Sequence, residues 1–454
     1  MISLKATKKL KTMSRKNILL FSLSLLIILS CDKDSEEITL DAQTYSLVQA
    51  IDQELSPLTI NPLNWSDNEL VFLDPIATKK IIALGEATHG TAEFFNAKHR
   101  IFKYLVENHN YKIFAFEADF GESLLINDAV QRGASNEIEE LMKTKMHFWT
   151  WSTEEVKNLL LWMCEYNLDK SEEEKVQYMG VDCQFNTFHP GMLKDYLKIT
   201  DVPFFSSAEL ILNQAETATE AGFASYSREA FENYLQKIDA LRDSIANHEN
   251  ELIEVSSEKE FKLNARILEV IRQVSEVKYF QGEYSINYRD QYMAENTAWL
   301  NEYFDGKKIV LWAHNWHIAN SPNYGGVRSM GYHLTQDFGN DYTTIGFLFS
   351  RGSFTAFGQE GGQFTELGEH VINVNPKTNS LNFVMSQSKE PVFALKIADL
   401  QKYNEWNDAF TNGIEAFTIG SVFNNNPKDY YFEFNPAFFD YIIYFDKSTA
   451  SVLL

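Results

Sequence analysis

Residues 81–90 of this 454-residue chain, with the sequence IIALGEATHG, contain the feature that decides the fold: an apolar run that ends in a histidine-bearing turn. Residues 308–317, with the sequence KIVLWAHNWH, repeat this arrangement. Short apolar runs that stop at glycine or polar residues predict buried strands of an open α/β sheet, and ligands of such sheets bind beyond the carboxyl ends of the strands. The two turns, separated by more than 200 residues, therefore predict one active site.

Apolar runs of the same kind recur along the chain, and helical patterns separate most of them. This alternation favours parallel pairing, whereas the closer spacing of the later runs permits antiparallel edge strands. We therefore expect an α/β fold with a mostly parallel sheet flanked by helices. Residues 206–280 have apolar positions that repeat every three or four residues, which predicts a helical insertion that forms a lid or side wall of the pocket. The other predicted strands are residues 112–116, 176–181, 343–349, 391–395 and 441–445.

The N-terminus has the pattern of an export signal, because six basic residues precede the apolar residues 18–29. This apolar run is shorter than the roughly 20 residues of a membrane-spanning helix. A cysteine directly after such a run resembles the bacterial lipoprotein signal, in which Cys31 becomes the lipid-bearing first residue; an uncleaved N-terminal anchor is the alternative. We expect a lipid-anchored protein of the bacterial cell envelope, on its periplasmic or cell-surface face. The predicted segments are a signal peptide (1–30), a charged flexible tether (31–44) and one α/β domain (45–454).

The composition narrows the class of partner. The chain is 44% apolar with a net charge of −23, and removal of the six cations of residues 1–30 leaves −29. So acidic a surface repels phosphate backbones, which makes nucleic acid an improbable partner and favours a neutral or cationic small molecule. Cys164 and Cys183 both lie in apolar surroundings, so the sequence leaves open one disulfide or two buried thiols.

Glu86 and His89 have the spacing of a carboxylate that orients an imidazole on a tight turn. Such a carboxylate raises the basicity of the ring, as activation of a water molecule at neutral pH requires. The same spacing also occurs among metal ligands, normally on a helix, and a structural histidine is a further alternative. The sequence contains no Gly-x-Ser-x-Gly motif, Walker loop or dinucleotide fingerprint, which argues against those enzyme classes.

Four segments in the same order resemble the erythromycin esterase family. They are LGEATHGTAEFF with the following KHR (84–100), FAFE (114–117), YRDQYMAEN (288–296) and WAHNWH (312–317). From residue 45 to residue 454 the chain is similar to one α/β hydrolase domain of this family. The resemblance implies hydrolysis of an ester, best known for the macrolactone of macrolide antibiotics, by an activated water and without a required metal or other cofactor.

The resemblance also implies roles for individual residues. His89 corresponds to the base and Glu86 to its acidic support, and Lys98 stands where some relatives have an arginine that would contact substrate. The remaining catalytic positions of the family fall on Glu117, Arg289, His314 and His317. In this scheme Arg289 with His314 or His317 stabilises the oxyanion, either protonated histidine donates a proton to the leaving alkoxide, and Glu117 holds the cations in place.

Structural alternatives exist for several candidates. Glu117 could cap a helix or pair with Lys112, and Arg289 could pair with Asp290 or Glu283. The aromatic residues Trp149 and Trp151 suit the wall of a substrate pocket and equally suit a packed core.

Two other function classes are compatible with the sequence. A metal-dependent hydrolase or peptidase would use a divalent ion, and the chain has suitable donors. The second class is a surface lipoprotein that binds a hydrophobic small molecule or a glycan without turnover. The donors for a metal would be Glu86, His89, Glu117, His314 and His317.

Overall fold

The two predicted strands that carry the histidine turns lie side by side in the middle of one sheet. The computed structural model describes residues 40–280, 283–322 and 327–454. Within these ranges the strands are β1 (Ser56–Pro57), β2 (Ile81–Leu84), β3 (Tyr111–Asp119), β4 (Gln177–Asp182), β5 (Lys308–Trp312), β6 (Tyr342–Glu360), β7 (Gln363–Ile372), β8 (Val392–Lys396), β9 (Glu415–Phe417), β10 (Val422–Phe423), β11 (Tyr431–Glu433) and β12 (Tyr441–Ser448).

Helices follow most of the strands, as an α/β fold requires. The helices of the described ranges are α1 (Ala42–Glu54), α2 (Asp67–Leu70), α3 (Ala92–His109), α4 (Phe120–Arg132), α5 (Ser135–Lys145), α6 (Glu154–Asn167), α7 (His189–Ile199), α8 (Phe205–Ala221), α9 (Arg228–Asn247), α10 (Glu249–Val255), α11 (Glu258–Tyr279), α12 (Glu283–Tyr303), α13 (Asn315–Ile318), α14 (Met330–Phe338), α15 (Leu381–Ser386), α16 (Ile397–Leu400) and α17 (Asn404–Thr411).

The main sheet has the strand order β1-β8-β12-β6-β2-β5-β3-β4. All pairs from β12 to β4 are parallel, whereas β8 is antiparallel to β12 and β1 is antiparallel to β8. The fold prediction, a mostly parallel sheet flanked by helices with antiparallel edge strands, is therefore confirmed. Every residue of β2 is buried, which explains why its sequence is continuously apolar instead of alternating.

Trp312, the last residue of β5, is the centre of an aromatic cluster beneath the histidine turns. Its indole ring lies 4.9 Å from the ring of Phe95 on α3, 4.8 Å from Phe116 on β3 and 5.2 Å from Trp151. Trp312 is fully buried, and aromatic rings are the largest apolar surfaces that a core can bury. The cluster fixes β2, β3 and β5 against α3 at the point where the site begins.

Two expectations about the strands need correction. Glu117 does not end its strand, because β3 continues to Asp119. Beyond the main sheet, β6 extends as a two-stranded antiparallel ribbon with β7, which the sequence analysis missed. Most residues of β7 are at least partly exposed, so the segment carries no continuous apolar run that would predict it.

The predicted helical insertion is present, since α8 to α11 extend from residue 205 to residue 279 without a strand. Their apolar residues form a core of their own, which includes Tyr234, Ile238 and Ile271. Cys164 and Cys183 are both free and buried, which resolves the alternatives left open above.

The predicted signal peptide (1–30), Cys31 and the tether up to residue 39 lie outside the described residues. Residues 43–454 form one compact unit. No helix in the described part of the chain combines the length and hydropathy needed to cross a bilayer. The assignment of residues 1–39 therefore stays a prediction, whereas residues 42–44 of the predicted tether belong to α1.

Gly180 on β4 is needed for the close approach of β4 to β3 and α4. A Cβ at this position would lie 2.4 Å from the carbonyl oxygen of Ala118 and 2.4 Å from Oγ of Ser123. We expect Gly180→Ala to lower the free energy of unfolding by about 1–3 kcal/mol, as overpacking of a core does. Urea denaturation measures this change. The control is Gly191→Ala on α7, where nothing lies within 4 Å of the added methyl group, and equal losses in both variants would contradict the prediction.

Candidate active site

The turns after β2 and β5 are joined directly. The backbone amide of Asn315 donates a hydrogen bond to the carbonyl oxygen of Glu86 at 3.0 Å, and that of Ala313 donates to Leu84 at 3.3 Å. Parallel pairing of β2 with β5 places the ends of both strands at the same edge of the sheet. The structure therefore brings the two histidine turns together, as the sequence predicts.

Glu86 is fully buried, and both of its oxygens accept hydrogen bonds. Oε1 lies 2.8 Å from Nδ1 of His89, while Oε2 accepts from Nζ of Lys98 at 2.9 Å and from Nε1 of Trp312 at 2.6 Å. Burial alone would raise the pKa of Glu86, but Lys98 and His89 outweigh it and hold the pKa below its ordinary value. Glu86 is therefore a carboxylate at neutral pH.

His89 is held from two sides and has one ring nitrogen left. A carboxylate only accepts, so Nδ1 of His89 carries the proton that is shared with Glu86, and Nε2 has the lone pair. Among the described residues no hydrogen bond to this Nε2 is formed. The carbonyl oxygen of His89 accepts from Oγ1 of Thr150 at 2.6 Å, which fixes the turn. A basic nitrogen that lines a cavity is what a water-activating base requires.

Arg289 on α12 is clamped by two carboxylates. Its Nε and Nη2 donate to Oδ1 and Oδ2 of Asp182 at 2.9 and 2.7 Å, and Nη2 also donates to Oε1 of Glu117 at 2.7 Å. These contacts replace the pairing with Asp290 that the sequence left open, and the side chain of Glu283, the other alternative, lies outside the described part. Sequence reasoning missed Asp182, although its position directly after the predicted strand 176–181 was a usable signal.

Glu117 is surrounded by positive charge. Its Oε1 lies 3.3 Å from Nε2 of His317, and its Oε2 accepts the backbone amide of His314 at 2.9 Å. Burial alone would raise the pKa of Glu117, but His317 and Arg289 outweigh it and keep the pKa far below its ordinary value. The alternative partner Lys112 instead donates to the hydroxyl of Tyr166 at 3.2 Å.

His317 forms a second imidazole–carboxylate pair. Its Nδ1 lies 2.7 Å from Oδ1 of Asp290, and its Nε2 lies 3.2 Å from Nη1 of Arg289. Burial alone would lower the pKa of His317, but Asp290 and Glu117 outweigh it and raise the pKa above its ordinary value. His317 thus takes up a proton more readily than a free imidazole does. The role of Asp290 was also missed from the sequence, where it was considered only as a partner of Arg289.

The position of His314 corrects its predicted role as oxyanion donor or acid. Its Nε2 lies 3.0 Å from the carbonyl oxygen of Ile419, and its Nδ1 accepts the backbone amide of Trp316 at 3.3 Å. Burial lowers the pKa of His314 to about 3, so the ring is neutral. With both nitrogens bound to the backbone, His314 serves as a wall for His89, whose ring centroid is 5.1 Å away.

Lys98 also differs from the prediction, since it lies beneath the site and not in it. Its side chain is 0% exposed, pairs with Glu86 and has Nζ 4.3 Å from the ring centroid of Trp312 and 4.9 Å from that of Phe347. Burial lowers the pKa of Lys98 to about 8. A side chain without access to the cavity cannot contact substrate, so Lys98 supports Glu86 instead.

A cavity of about 260 Å³ joins these groups to solvent. Its polar side includes His89, Glu117, Arg289 and His317, and its aromatic side includes Trp149 and Trp151. Trp151 is only 1% exposed and donates from Nε1 to the carbonyl oxygen of Glu117 at 3.1 Å, so most of its ring is core.

The helical insertion does not form the lid or side wall that was predicted for it. The described side chains of residues 206–280 are not among those that line this cavity. The insertion instead contacts α7 and α12. Its effect on the site is therefore indirect, through the α12 helix that carries Arg289 and Asp290.

The residues considered for a divalent ion do not assemble into a ligand set. In the part of the chain that the structure describes, no group of three or more His, Cys, Asp or Glu side chains is placed to hold a metal ion. Glu86 and Glu117 direct their oxygens at protein donors, namely Lys98, Trp312 and Arg289.

Comparison with known proteins identifies the family. The model of the erythromycin esterase family matches residues 106–448, about three quarters of the chain. The chain belongs to the erythromycin esterase family. It is accordingly a hydrolase of that family. The matched range contains Glu117, Arg289 and the turn at 314–317, whereas His89 precedes it.

Curated relatives agree with this assignment. Erythromycin esterase type II of Escherichia coli is 26% identical over 301 residues, which are 60% of this chain and 69% of the relative. The putative hydrolase YbfO of Bacillus subtilis (strain 168) is 26% identical over 292 residues, 59% of this chain and 62% of that protein.

Solved structures support the fold. A succinoglycan biosynthesis protein superimposes with a TM-score of 0.77 at 22% identity, over 92% of this chain and all of the other. A mutant of the erythromycin esterase EreC in its open conformation gives a TM-score of 0.63 at 18% identity, over 87% of this chain and 97% of the other. Identities this low establish the fold alone.

The buried Lys98–Glu86 pair provides a stability test. Lys98→Met leaves the Glu86 carboxylate buried without its cation, and we expect a loss of about 3–5 kcal/mol in the free energy of unfolding. Chemical denaturation measures this loss. The control is Lys103→Met on the same helix. The Lys103 side chain is 41% exposed and lies 3.9 Å from Glu107, so this variant should lose less than about 1 kcal/mol in the free energy of unfolding. Similar losses for the two variants would show that the buried pair carries no special weight.

Proposed function

We propose that this protein hydrolyses an ester or lactone of a small molecule by attack of a water molecule that His89 activates. The observation that carries the proposal is the position of His89, which lines the cavity and has no hydrogen bond to Nε2 among the described residues, while Glu86 holds Nδ1 at 2.8 Å. Membership of the erythromycin esterase family supports ester hydrolysis as the reaction. A macrolide is the first substrate class to test, because the type II relative is named for erythromycin.

In the proposed first step, water attacks the carbonyl carbon and Nε2 of His89 takes its proton. The carbonyl π electrons move to oxygen, and a tetrahedral oxyanion forms. Arg289 and His317 are the cationic donors that line the same cavity and would stabilise this charge. Glu117 lies against both of them, at 2.7 Å from Nη2 of Arg289 and 3.3 Å from Nε2 of His317, and keeps them in place.

In the second step, the C–O bond to the leaving group breaks and the alkoxide receives a proton. His317 is the donor that the geometry favours, because Asp290 and Glu117 stabilise its protonated form. The neutral His314 has only its Nε2 proton, which it donates to the carbonyl oxygen of Ile419, so it is a poor acid at neutral pH. The products are a carboxylic acid and an alcohol, and together they contain one water more than the ester.

We propose that this reaction needs no metal ion or other cofactor. Glu86 is fully buried, does not line the cavity, and accepts from Lys98, Trp312 and His89, so its oxygens are directed at protein donors. Water activation by an imidazole supported by a carboxylate supplies the nucleophile without a Lewis acid. A metal-dependent hydrolase is the alternative that the experiment below separates.

The test is incubation of the purified full chain in detergent with macrolides, simpler lactones and small esters, followed by mass spectrometry. A gain of one water by a substrate is the expected result. We expect His89→Ala to lower kcat by about 10²–10⁴-fold, the contribution of a general base. The matched control is His109→Ala, which removes another imidazole paired with a carboxylate, 2.9 Å from Asp74 and far from the cavity wall.

Three outcomes would contradict the proposal. Turnover by His89→Ala at the wild-type rate would rule out His89 as the base. Loss of activity after dialysis against a chelator, with recovery on addition of a divalent ion, would favour the metal-dependent alternative. Tight binding of a macrolide with no product after long incubation would favour a ligand-binding lipoprotein.

We further propose that the protein is anchored to the membrane of the bacterial cell envelope by a lipid on Cys31. The observation behind this is the basic and apolar N-terminal sequence that ends at this cysteine. A lipid with two acyl chains would bury enough methylene groups for stable attachment. The protein itself is acidic and therefore adds no electrostatic attraction to anionic lipids.

Metabolic labelling with a clickable palmitate analogue in a bacterial host tests this anchor. We expect the wild-type chain to carry the label and to sediment with membranes, and Cys31→Ser to lose both properties. Cys164→Ser removes a buried thiol and should keep both. If Cys31→Ser stays in the membrane fraction, an uncleaved N-terminal anchor explains the attachment instead.

A further inference from the structure

Asp290 contacts His317 through a carboxylate oxygen that is itself bound to the backbone. Its Oδ1 accepts two hydrogen bonds, one from Nδ1 of His317 at 2.7 Å and one from the backbone amide of Met330 at 2.8 Å. Its side chain is 2% exposed, so the carboxylate cannot turn away into solvent. Met330 is the first residue of α14. The hydrogen bond from its amide holds Oδ1 of Asp290 in one position relative to His317.

We propose that Asp290 is a positioning residue that fixes the tautomer and the orientation of His317 so that Nε2 of His317 faces the reacting atoms. A carboxylate oxygen that already accepts a backbone amide can only accept again, so Nδ1 of His317 must carry a proton. The remaining nitrogen, Nε2, then points to Glu117 and Arg289 at the cavity. This inference rests on the proposed function insofar as His317 donates to the leaving group.

The arrangement repeats the one at His89 on the opposite side of the site. In each pair a buried carboxylate binds Nδ1, at 2.8 Å from Glu86 and 2.7 Å from Asp290, and leaves Nε2 for the cavity. The surroundings differ, because Lys98 neutralises Glu86 whereas Asp290 has the Met330 amide as its other donor. The first pair therefore suits a neutral base and the second a protonated acid.

Several charged or titratable groups face His317 besides Asp290. Glu117 raises the pKa of His317 by attraction, and Arg289 lowers it by repulsion. Nη1 of Arg289 lies 3.2 Å from Nε2 of His317. Tautomer assignment separates the effect of Asp290 from theirs, since within the described residues Asp290 alone contacts Nδ1. The groups are Arg289 on α12, Glu117 on β3 and His314 in the same turn, while His333 on α14 interacts with Asp290 itself.

Two variants of Asp290 separate orientation from charge. Asp290→Asn keeps an oxygen that can accept from His317 and from Met330 but removes the negative charge. Asp290→Ala removes both the charge and the acceptor. If Asp290→Ala fails to fold, Asp290→Asn still tests the electrostatic part, and circular dichroism shows which case applies.

The deciding measurement is ¹⁵N NMR of the full chain with labelled histidine, because the shifts of Nδ1 and Nε2 identify which nitrogen is protonated. The signals of His317 are those that disappear in His317→Gln. At a pH at which the His317 ring is neutral, we expect the proton to be on Nδ1 in the wild type and in Asp290→Asn, and a mixture of both tautomers in Asp290→Ala. A merely structural role for Asp290 would leave the tautomer unchanged.

Kinetics provide the second readout. We expect Asp290→Ala to lower kcat by about 10²-fold, a general-acid contribution, with KM within about two-fold of the wild type. Asp290→Asn should lose less, because the orientation of His317 is kept. The matched control is Asp74→Ala, which removes the carboxylate of the His109 pair and should leave kcat unchanged.

The outcomes distinguish this inference from the proposed function. A folded Asp290→Ala variant with the wild-type tautomer and kcat overturns the role of Asp290. If the wild-type chain hydrolyses no ester in the panel, the proposed function fails, while the NMR experiment still decides whether Asp290 sets the tautomer. A lower kcat with an unchanged tautomer would also contradict the inference, since the effect would then not pass through His317.

Discussion

Burial of the Glu86 carboxylate is the constraint on which the rest of the site depends. A carboxylate in the core is costly unless a cation and hydrogen-bond donors surround it. Lys98 and Trp312 supply these from α3 and β5, so the base-bearing turn is bound to two other elements. His89 donates to the other oxygen, Oε1, and is oriented as a result. The aromatic rings around Lys98 exclude water from the pair and make it dependent on packing.

The central fold was predictable because its strands are buried on both faces. Continuous apolar runs such as residues 81–84 and 308–312 are produced by this burial, and both form strands. The ribbon of β6 and β7 was not predictable in this way, since cross-strand hydrogen bonds stabilise it and β7 buries little. The lid expected from residues 206–280 failed for a different reason: helical periodicity shows that a segment packs, and not what it packs against.

The site was only partly predictable, because its contacts join distant parts of the chain. Motif positions gave His89, Glu117 and Arg289, which do line one cavity. They did not predict that Asp182 pairs with Arg289, which lies 107 residues further along the chain. This pairing depends on how α12 crosses the end of β4. A lysine on a helix is normally exposed, so nothing in the local sequence indicated that Lys98 is buried.

The position of β2 in the sheet has a consequence for how the protein acquires its structure. Both neighbours of β2, the strands β5 and β6, follow it by more than 200 residues. Closing so long a loop costs entropy before any contact repays it, and high contact order slows folding. During synthesis β2 must therefore wait for partners that leave the ribosome more than 200 residues later. The two histidine turns can meet only after about two thirds of the chain has been made.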